Sequence, residues 1–372
     1  MKVGILCSGV ALGVYIPGIS IHRQLRNRNW ESEVFVLENL LLEEKKNKLP
    51  ENKEAFHKNF ALALAGQKLA RDIVPSLDRE RILEIFEIWI KERISYFIVV
   101  SGFWMSIIEI FREMFPDIGI FVECLHIDSD FSPSWKKALK NRDEANNVWL
   151  FSHDEKRIVR ELRVTGKAPL PYDRRENRFL IHGGGWGMGT YQGKIPILRE
   201  HGINLDIIAY DVREVPSNPG NDRYFMVDPD WHPWLKNENN QHVYPPFARI
   251  IPGSKPVFES KDEYPDLFDI TRAVKAVISK PGGSTLIDSL SSATPIVMLE
   301  PFGEHEKKNA ELWIGLGFAV SFDDWERSGF DFGLLRQLHV NLLDARGRHE
   351  DYIHYLENVL KVQNIDKQDI VG

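Results

Sequence analysis

Cysteine is scarce in this chain of 372 residues: Cys7 and Cys124 stand far apart, each inside a strand-like apolar run. Two buried thiols exclude a disulfide framework and suit a reducing compartment. No apolar run reaches the roughly 20 residues that a membrane-spanning helix needs. No basic block offsets the net charge of -7, which excludes the footprint of a nucleic-acid binder. Met1-Lys2 leads straight into the apolar run 3–7, so the start reads as a first strand rather than a signal peptide. Together these absences predict a cytoplasmic protein. What remains is ordinary globular composition, 43% hydrophobic and 27% charged, with length enough for two domains.

The densest signal lies in residues 276–320. An apolar run at 274–278 suits a buried parallel strand. It breaks at Pro281-Gly282-Gly283, and Ser284-Thr285 then opens a helical spacing of Leu286, Ile287 and Leu290. A strand, a Gly-Gly turn and Ser/Thr at a helix start make an anion site: backbone can approach a phosphate, free N–H groups point at it, and the helix dipole favours its charge. A second strand, 295–299, runs into Glu300-Pro301-Phe302-Gly303 and then Glu304, His305, Glu306 and Asn309. Carboxylates one strand away from a phosphate cradle suit the hydroxyls of a sugar. Upstream, a strand at 178–182 empties into residues 183–189, where Gly183, Gly184, Gly185, Gly187 and Gly189 surround Trp186 and Met188. Such a loop can wrap around a diphosphate. It is not a dinucleotide fingerprint, because Met188 falls where the final Gly is required.

This pattern resembles the donor-binding half of GT-B glycosyltransferases, and within them the lipid II-forming N-acetylglucosaminyltransferases and related UDP-sugar transferases. Gly282, Gly283, Ser284 and Thr285 match the family's phosphate turn, and Asp288 stands where it keeps the acid for the ribose hydroxyls. Thr294-Pro295 matches its Gly-x-Pro neighbourhood, while Glu304, His305, Glu306 and Asn309 fall in its sugar-contacting turn. Glu306 occupies a place where Gln is usual. The resemblance also puts Gly184, Gly185 and Trp186 at the cleft and Phe247, after Tyr244-Pro245-Pro246, beside the nucleobase. It implies an α/β fold of GT-B type, two Rossmann-like doubly wound domains facing a cleft, with a nucleotide sugar as co-substrate, no cofactor and no metal.

The first half opens as a doubly wound unit should: strand 3–7, a loop with Gly9 and Gly13, a helix from Pro17-Gly18, and a strand at 33–37. In the lipid II enzymes this loop carries a His. The matching position here is Val14, and the nearest histidine, His22, reads as a surface residue. Residues 40–93 are helical by composition, with a solvated charged run at 43–48. Phe103 and Trp104 read as core, or as the apolar wall of an acceptor cleft. Strand 118–124 runs into His126, Asp128, Ser129, Asp130 and Trp135, and ligands gather beyond the carboxyl ends of such strands. His126 with Asp128 or Asp130 is the candidate base with its orienting carboxylate; the alternative is that these residues cap the helix from Pro133. Their spacing matches no closed zinc pattern.

The expected organisation is an acceptor domain over 1–165, a donor domain over 166–345 and a closing helix over 346–372 that returns to the first domain. Residues 164–178 form the linker, and the stretch from Asp211 to Tyr244, rich in Pro, Asn, Asp and Trp, reads as a structured surface insertion, with a metal or sugar-stacking loop as the alternative. The function expected is glycosyl transfer from a UDP-linked or other nucleotide sugar to a small-molecule or lipid-like acceptor, with peripheral membrane contact left open. A nucleotide-sugar hydrolase or epimerase, or a non-catalytic nucleotide-sugar-binding protein, stays open because of Val14.

Overall fold

The computed structural model describes residues 2–10, 12–68, 73–138 and 145–369, so residues 69–72 of the helical region lie outside it. The apolar runs of the first half become β1 (Lys2–Cys7), β2 (Ser32–Val36), β3 (Ile94–Val99), β4 (Phe121–His126) and β5 (Asn147–Trp149). They form one parallel sheet of 5 strands in the order β2-β1-β3-β4-β5. Val3, Ile5, Cys7, Tyr96 and Ile98 on these strands are wholly buried, because helices cover both faces of the sheet. Cys7 and Cys124 are buried free thiols.

The second sheet has 7 strands: β6 (Phe179–Ile181), β7 (Leu205–Ile208), β8 (Arg223–Val227), β9 (Phe247–Ile250), β10 (Ala276–Ser279), β11 (Ile296–Met298) and β12 (Ala319–Ser321). Their order is β9-β8-β7-β6-β10-β11-β12, parallel except for the edge strand β9. The chain leaves β6 for β7 on one side and returns to β10 on the other, so strand order reverses between β6 and β10. Such a switch point opens a crevice beyond the carboxyl ends of the two strands. It is there that the loops 183–189 and 280–283 emerge.

Among the helices, α1 (Leu12–Arg26), α2 (Leu49–Lys58), α3 (Phe60–Lys68), α4 (Gly283–Ser292), α5 (Glu304–Gly315) and α6 (Tyr352–Asp369) bear on the site. The segment 40–93 is helical in pieces, and none of Glu43–Lys46 is buried. His22 on α1 is buried, not a surface residue: its Nδ1 meets Ser32 Oγ at 2.9 Å, and burial pushes the imidazole down to about 3. Trp104 is 0% exposed with its indole N–H on Cys7 O (2.8 Å), so it packs the core and cannot wall a cleft. No helix among the described residues is long and apolar enough to cross a membrane.

Two buried polar devices tie the chain together. Arg175, in the stretch between the sheets, donates to Leu170 O, Val274 O, Ser292 O, Ala293 O and Thr294 Oγ1. It thereby satisfies the carbonyls at the end of α4, where Ala293 is left-handed at φ 53°. At the other end of the chain, α6 lies against the first sheet through Ile353, Leu356 and Leu360. Its Tyr352 hydroxyl donates to Glu123 Oε1 (2.5 Å) while Tyr96 donates to Glu123 Oε2 (2.7 Å), and burial raises the pKa of that carboxyl. Replacing Tyr352 by Phe leaves one buried carboxylate oxygen without its donor. Urea unfolding of Tyr352→Phe should show a loss of about 1–3 kcal/mol; an unchanged midpoint would mean that α6 is held by apolar contact alone.

Candidate functional site

Two glycine loops and one ammonium group form the centre of the site. After β6 the backbone turns left-handed at Gly184 (φ 74°) and again at Gly187 (φ 59°), conformations that favour glycine. His182 Nδ1 accepts the Gly184 amide (3.0 Å); burial and the neighbouring Lys280 hold this imidazole down at about 4, so it is a neutral acceptor. On the adjacent strand β10 the chain continues into Lys280, Pro281 and Gly282. A methyl group placed on Gly184 or on Gly282 would lie 3.8 Å from Lys280 Nζ, so the ammonium stands between the two loops. Its partner is Glu306 Oε1 at 2.6 Å, and the pair is nearly enclosed, with side chains 13% and 5% exposed. Sequence reasoning passed over Lys280; the available signal was a cation placed directly before the Pro-Gly-Gly turn.

The start of α4 faces the first sheet. Its first intrahelical bond runs from Leu286 N to Gly282 O (3.1 Å), so the amides of Gly283, Ser284 and Thr285 precede the helical ladder. Gly283 N donates to Asp128 Oδ1 (3.1 Å), and a methyl on Gly283 would meet Ile127 O at 2.5 Å. Asn309 Nδ2 donates to the same Asp128 oxygen (2.8 Å) and to Pro281 O (2.9 Å), while Asn309 Oδ1 accepts from Ser129 N (2.7 Å). Asp128 thus brings a carboxylate to the position where a helix N-terminus receives an anion. Burial raises its pKa, against the pull of His305, Asn309 and Lys280.

Of the residues singled out from the sequence, Gly184, Gly185, Gly282, Gly283, Ser284, Thr285, His305, Glu306, Asn309 and Asp128 gather at these two loops and the facing end of β4. Glu306 has both oxygens engaged, one by Lys280 and the other by Phe302 N at 2.7 Å. Glu304 at the start of α5 is exposed, and Trp186 is buried against Phe56 (5.9 Å between rings). Asp288 lies further along α4, and burial alone pushes its carboxyl up to about 7. Phe247 is not brought to the loops: it stacks on Phe225 (5.7 Å, 4°) on the edge strand β9, four strand spacings or roughly 19 Å from β10.

His126 and Asp130 do not join the loops either. His126 is 1% exposed; its Nε2 meets Asn147 Oδ1 at 2.7 Å and its ring stacks on Trp149 (4.1 Å) with Phe131 and Trp135 edge-on. Burial pushes this imidazole down to about 4. Asp130 pairs with Lys136 (3.2 Å) and Lys308 (3.3 Å); burial opposes, yet these ammonium groups hold its pKa below the ordinary value.

The stretch 211–244 is not the surface insertion its composition suggests. Trp231 packs edge-on against Tyr15 (5.7 Å), Tyr15 Oη donates to Val243 O (2.8 Å), and Tyr244 Oη donates to Ser20 Oγ (3.0 Å). The stretch clasps α1, and its aromatic residues, not its Pro and Asn, decide where it lies. A second contact comes from α2. His57 stacks on Tyr210 (4.0 Å, 15°), with Nδ1 at 2.7 Å from Gly187 O and Nε2 at 2.6 Å from Glu214 Oε1. Burial pulls its pKa down, but Glu214 and the Gly187 carbonyl outweigh this and hold it above the ordinary value. No group of three or more His, Cys, Asp or Glu among the described residues is placed to hold a metal ion.

No protein-family model matches the chain, and no curated protein matches it. Solved structures do. MurG of Acinetobacter baumannii superposes with a TM-score of 0.53 at 12% identity, over 97% of this chain and 99% of its own. SsfS6 of Streptomyces sp. SF2575, a glycosyltransferase complexed with thymidine diphosphate, superposes at 0.54 and 12%, over 96% and 99%. The glycosyltransferase SnogD from Streptomyces nogalater gives 0.51 and 12%, over 97% and 99%. At such identity the likeness is one of fold, and the fold is GT-B.

Asp288 provides a test of the site's electrostatics. Its carboxyl rises from an ordinary 3.8 to about 7 in the folded chain, so ionising it costs stability progressively as pH rises between these values. The melting temperature of Asp288→Asn should match that of the parent below pH 4 and exceed it above pH 7. Equal melting temperatures at both ends would show that Asp288 is well solvated.

Proposed function

We propose that the protein is a glycosyltransferase that moves a sugar from a nucleoside-diphosphate donor, uridine- or thymidine-linked, to a hydroxyl-bearing acceptor. The observation that carries this reading is Lys280, an ammonium held between two glycine loops at the switch point of the second sheet. A diphosphate seated there would receive Lys280, the Gly184 and Gly185 backbone and the amides that open α4. These groups meet the charge that develops on the departing diphosphate, and in this reading they do so in place of a metal ion. Asp288 on α4 would accept the ribose hydroxyls, and His305, Asn309 and the exposed Glu304 border the sugar.

Of His126, Asp128 and Asp130 we assign the proton to Asp128. Val14, in the first turn of α1, has no proton to exchange, His126 is sealed among aromatic rings, and Asp130 is paired with two lysines. Asp128 alone reaches the donor helix, and its raised pKa makes it the stronger base. A phosphate arriving at the Gly283 amide would take over one of the two hydrogen bonds that Asp128 Oδ1 now accepts, leaving the one from Asn309 Nδ2 to orient the carboxylate. The acceptor oxygen then bonds to the anomeric carbon, the bond from that carbon to the β-phosphate oxygen breaks, the diphosphate leaves with the electron pair, and Asp128 takes the hydroxyl proton.

Calorimetric titration with UDP and dTDP tests the donor site. Lys280→Met should weaken binding by about ten- to a hundredfold, the size of a lost charged hydrogen bond; unchanged affinity would remove the observation on which the reading stands. Asp128→Asn separates binding from chemistry. It should bind the diphosphate at least as tightly as the parent while losing about a hundredfold or more in turnover, and full turnover would take the base role away from Asp128.

A further inference from the structure

A second cleft adjoins the glycine loop on the side away from Lys280. Leu12, Leu49 and Lys53 of the first half face Trp186, Trp231 and Trp234 of the second across a narrow slot of about 30 Å³ that opens to solvent. Gly9, at the end of β1, and Gly185, in the glycine loop, both border it. The cleft therefore runs from the loop after the first strand to the wall of the donor site. Three indole rings give it flat apolar walls of the kind that stack on planar rings.

Its polar groups are few and unmatched. Lys53 is partly buried, and no acidic side chain among the described residues forms an ion pair with it; its ammonium stands 5.2 Å from the centre of the Tyr210 ring. Burial alone lowers its pKa. His232, stacked on Trp234 at 4.7 Å, adds no negative charge to offset it. The indole N–H of Trp231 is buried without a hydrogen-bond partner. A partly desolvated cation and an orphan donor both lack an anion: Glu214 is engaged by His57 and Asp211 by Arg213, and the exposed Asp230 beside His232 forms no ion pair with Lys53.

We propose that this cleft is the acceptor site and that it takes a flat aromatic ring system bearing an anionic group, the rings against the tryptophans and the anion on Lys53. This rests on the transferase reading for its hydroxyl nucleophile, but the binding chemistry stands on Lys53 and the three tryptophans alone. It also gives the stretch 211–244 a role, since Trp231 and Trp234 from the donor half form the wall facing α1 and α2. The acceptor would lie in the seam between the halves, not on the first half alone.

The test uses the full-length protein and two probes, hydroxynaphthoic acid and its neutral counterpart hydroxynaphthamide, followed by tryptophan fluorescence and calorimetry. The acid should bind about tenfold or more tighter than the amide. Lys53→Met should abolish that difference and leave dTDP and UDP binding intact, while Trp234→Ala should weaken both probes. Equal affinity of acid and amide, or a preference that survives Lys53→Met, overturns the proposal. So does nucleoside-diphosphate binding with neither probe bound at millimolar concentration, and that outcome leaves the donor reading standing. Lys53-dependent binding of the acid by a protein that binds no nucleotide upholds the cleft and removes the transferase reading.

Discussion

The arrangement depends on one carboxylate, that of Asp128, which crosses from the end of β4 to the start of α4. There it accepts from Gly283 N and from Asn309 Nδ2, while Asn309 returns a bond to Ser129 N. Backbone of the first half approaches Gly283 so closely that no side chain fits, which holds the carboxyl end of β4 against the start of α4. Further crossings include His57 on Gly187 O, Gln67 on Phe302 O, Tyr15 on Val243 O and Tyr244 on Ser20 Oγ. An anion bound at α4 would compete for the same amide. Binding there and the fit of the two halves would then be one equilibrium rather than two.

Charge is balanced locally around the node. Lys280 would be an uncompensated buried cation without Glu306, and breaking such a pair is costly. A neutral amide at position 306 could not serve as a counter-ion to the lysine beside the glycine turn. The second oxygen of Glu306 also fixes the turn after β11 through Phe302 N. Asp128, beside this pair, and Asp288, which no charged neighbour among the described residues reaches, both have pKa values raised by lost solvation, so both stand to gain from a ligand that supplies hydrogen-bond donors or cations.

Much of the fold was legible because strands buried on both faces read as short continuous apolar runs, and because each glycine loop follows one directly. Helix α4 and its Gly-Gly turn were visible for the same reason. Lys280 was not, since its meaning comes from strand order: only when β6 and β10 are neighbours does the loop after each flank its ammonium. His126 was misleading in the opposite way. A polar residue at a strand end is a sound candidate by position, but position does not set the direction of its side chain, and Trp149 and Trp135 turned this one into the interior. In 211–244 the Pro and Asn content outweighed three tryptophan and tyrosine anchors, Trp231, Trp234 and Tyr244, whose burial needed a partner surface. That surface, α1 and α2, lies in the other half of the chain.

The central claim is that the glycine loop after β6 and the start of α4 hold one diphosphate between them. Amide hydrogen exchange of the full-length protein, read by peptide mass with and without saturating UDP or dTDP, addresses it directly. The account predicts that residues 183–189 and 282–288 gain protection together, since the same ligand engages both. Protection of neither segment, or of a surface elsewhere with both unchanged, would contradict it.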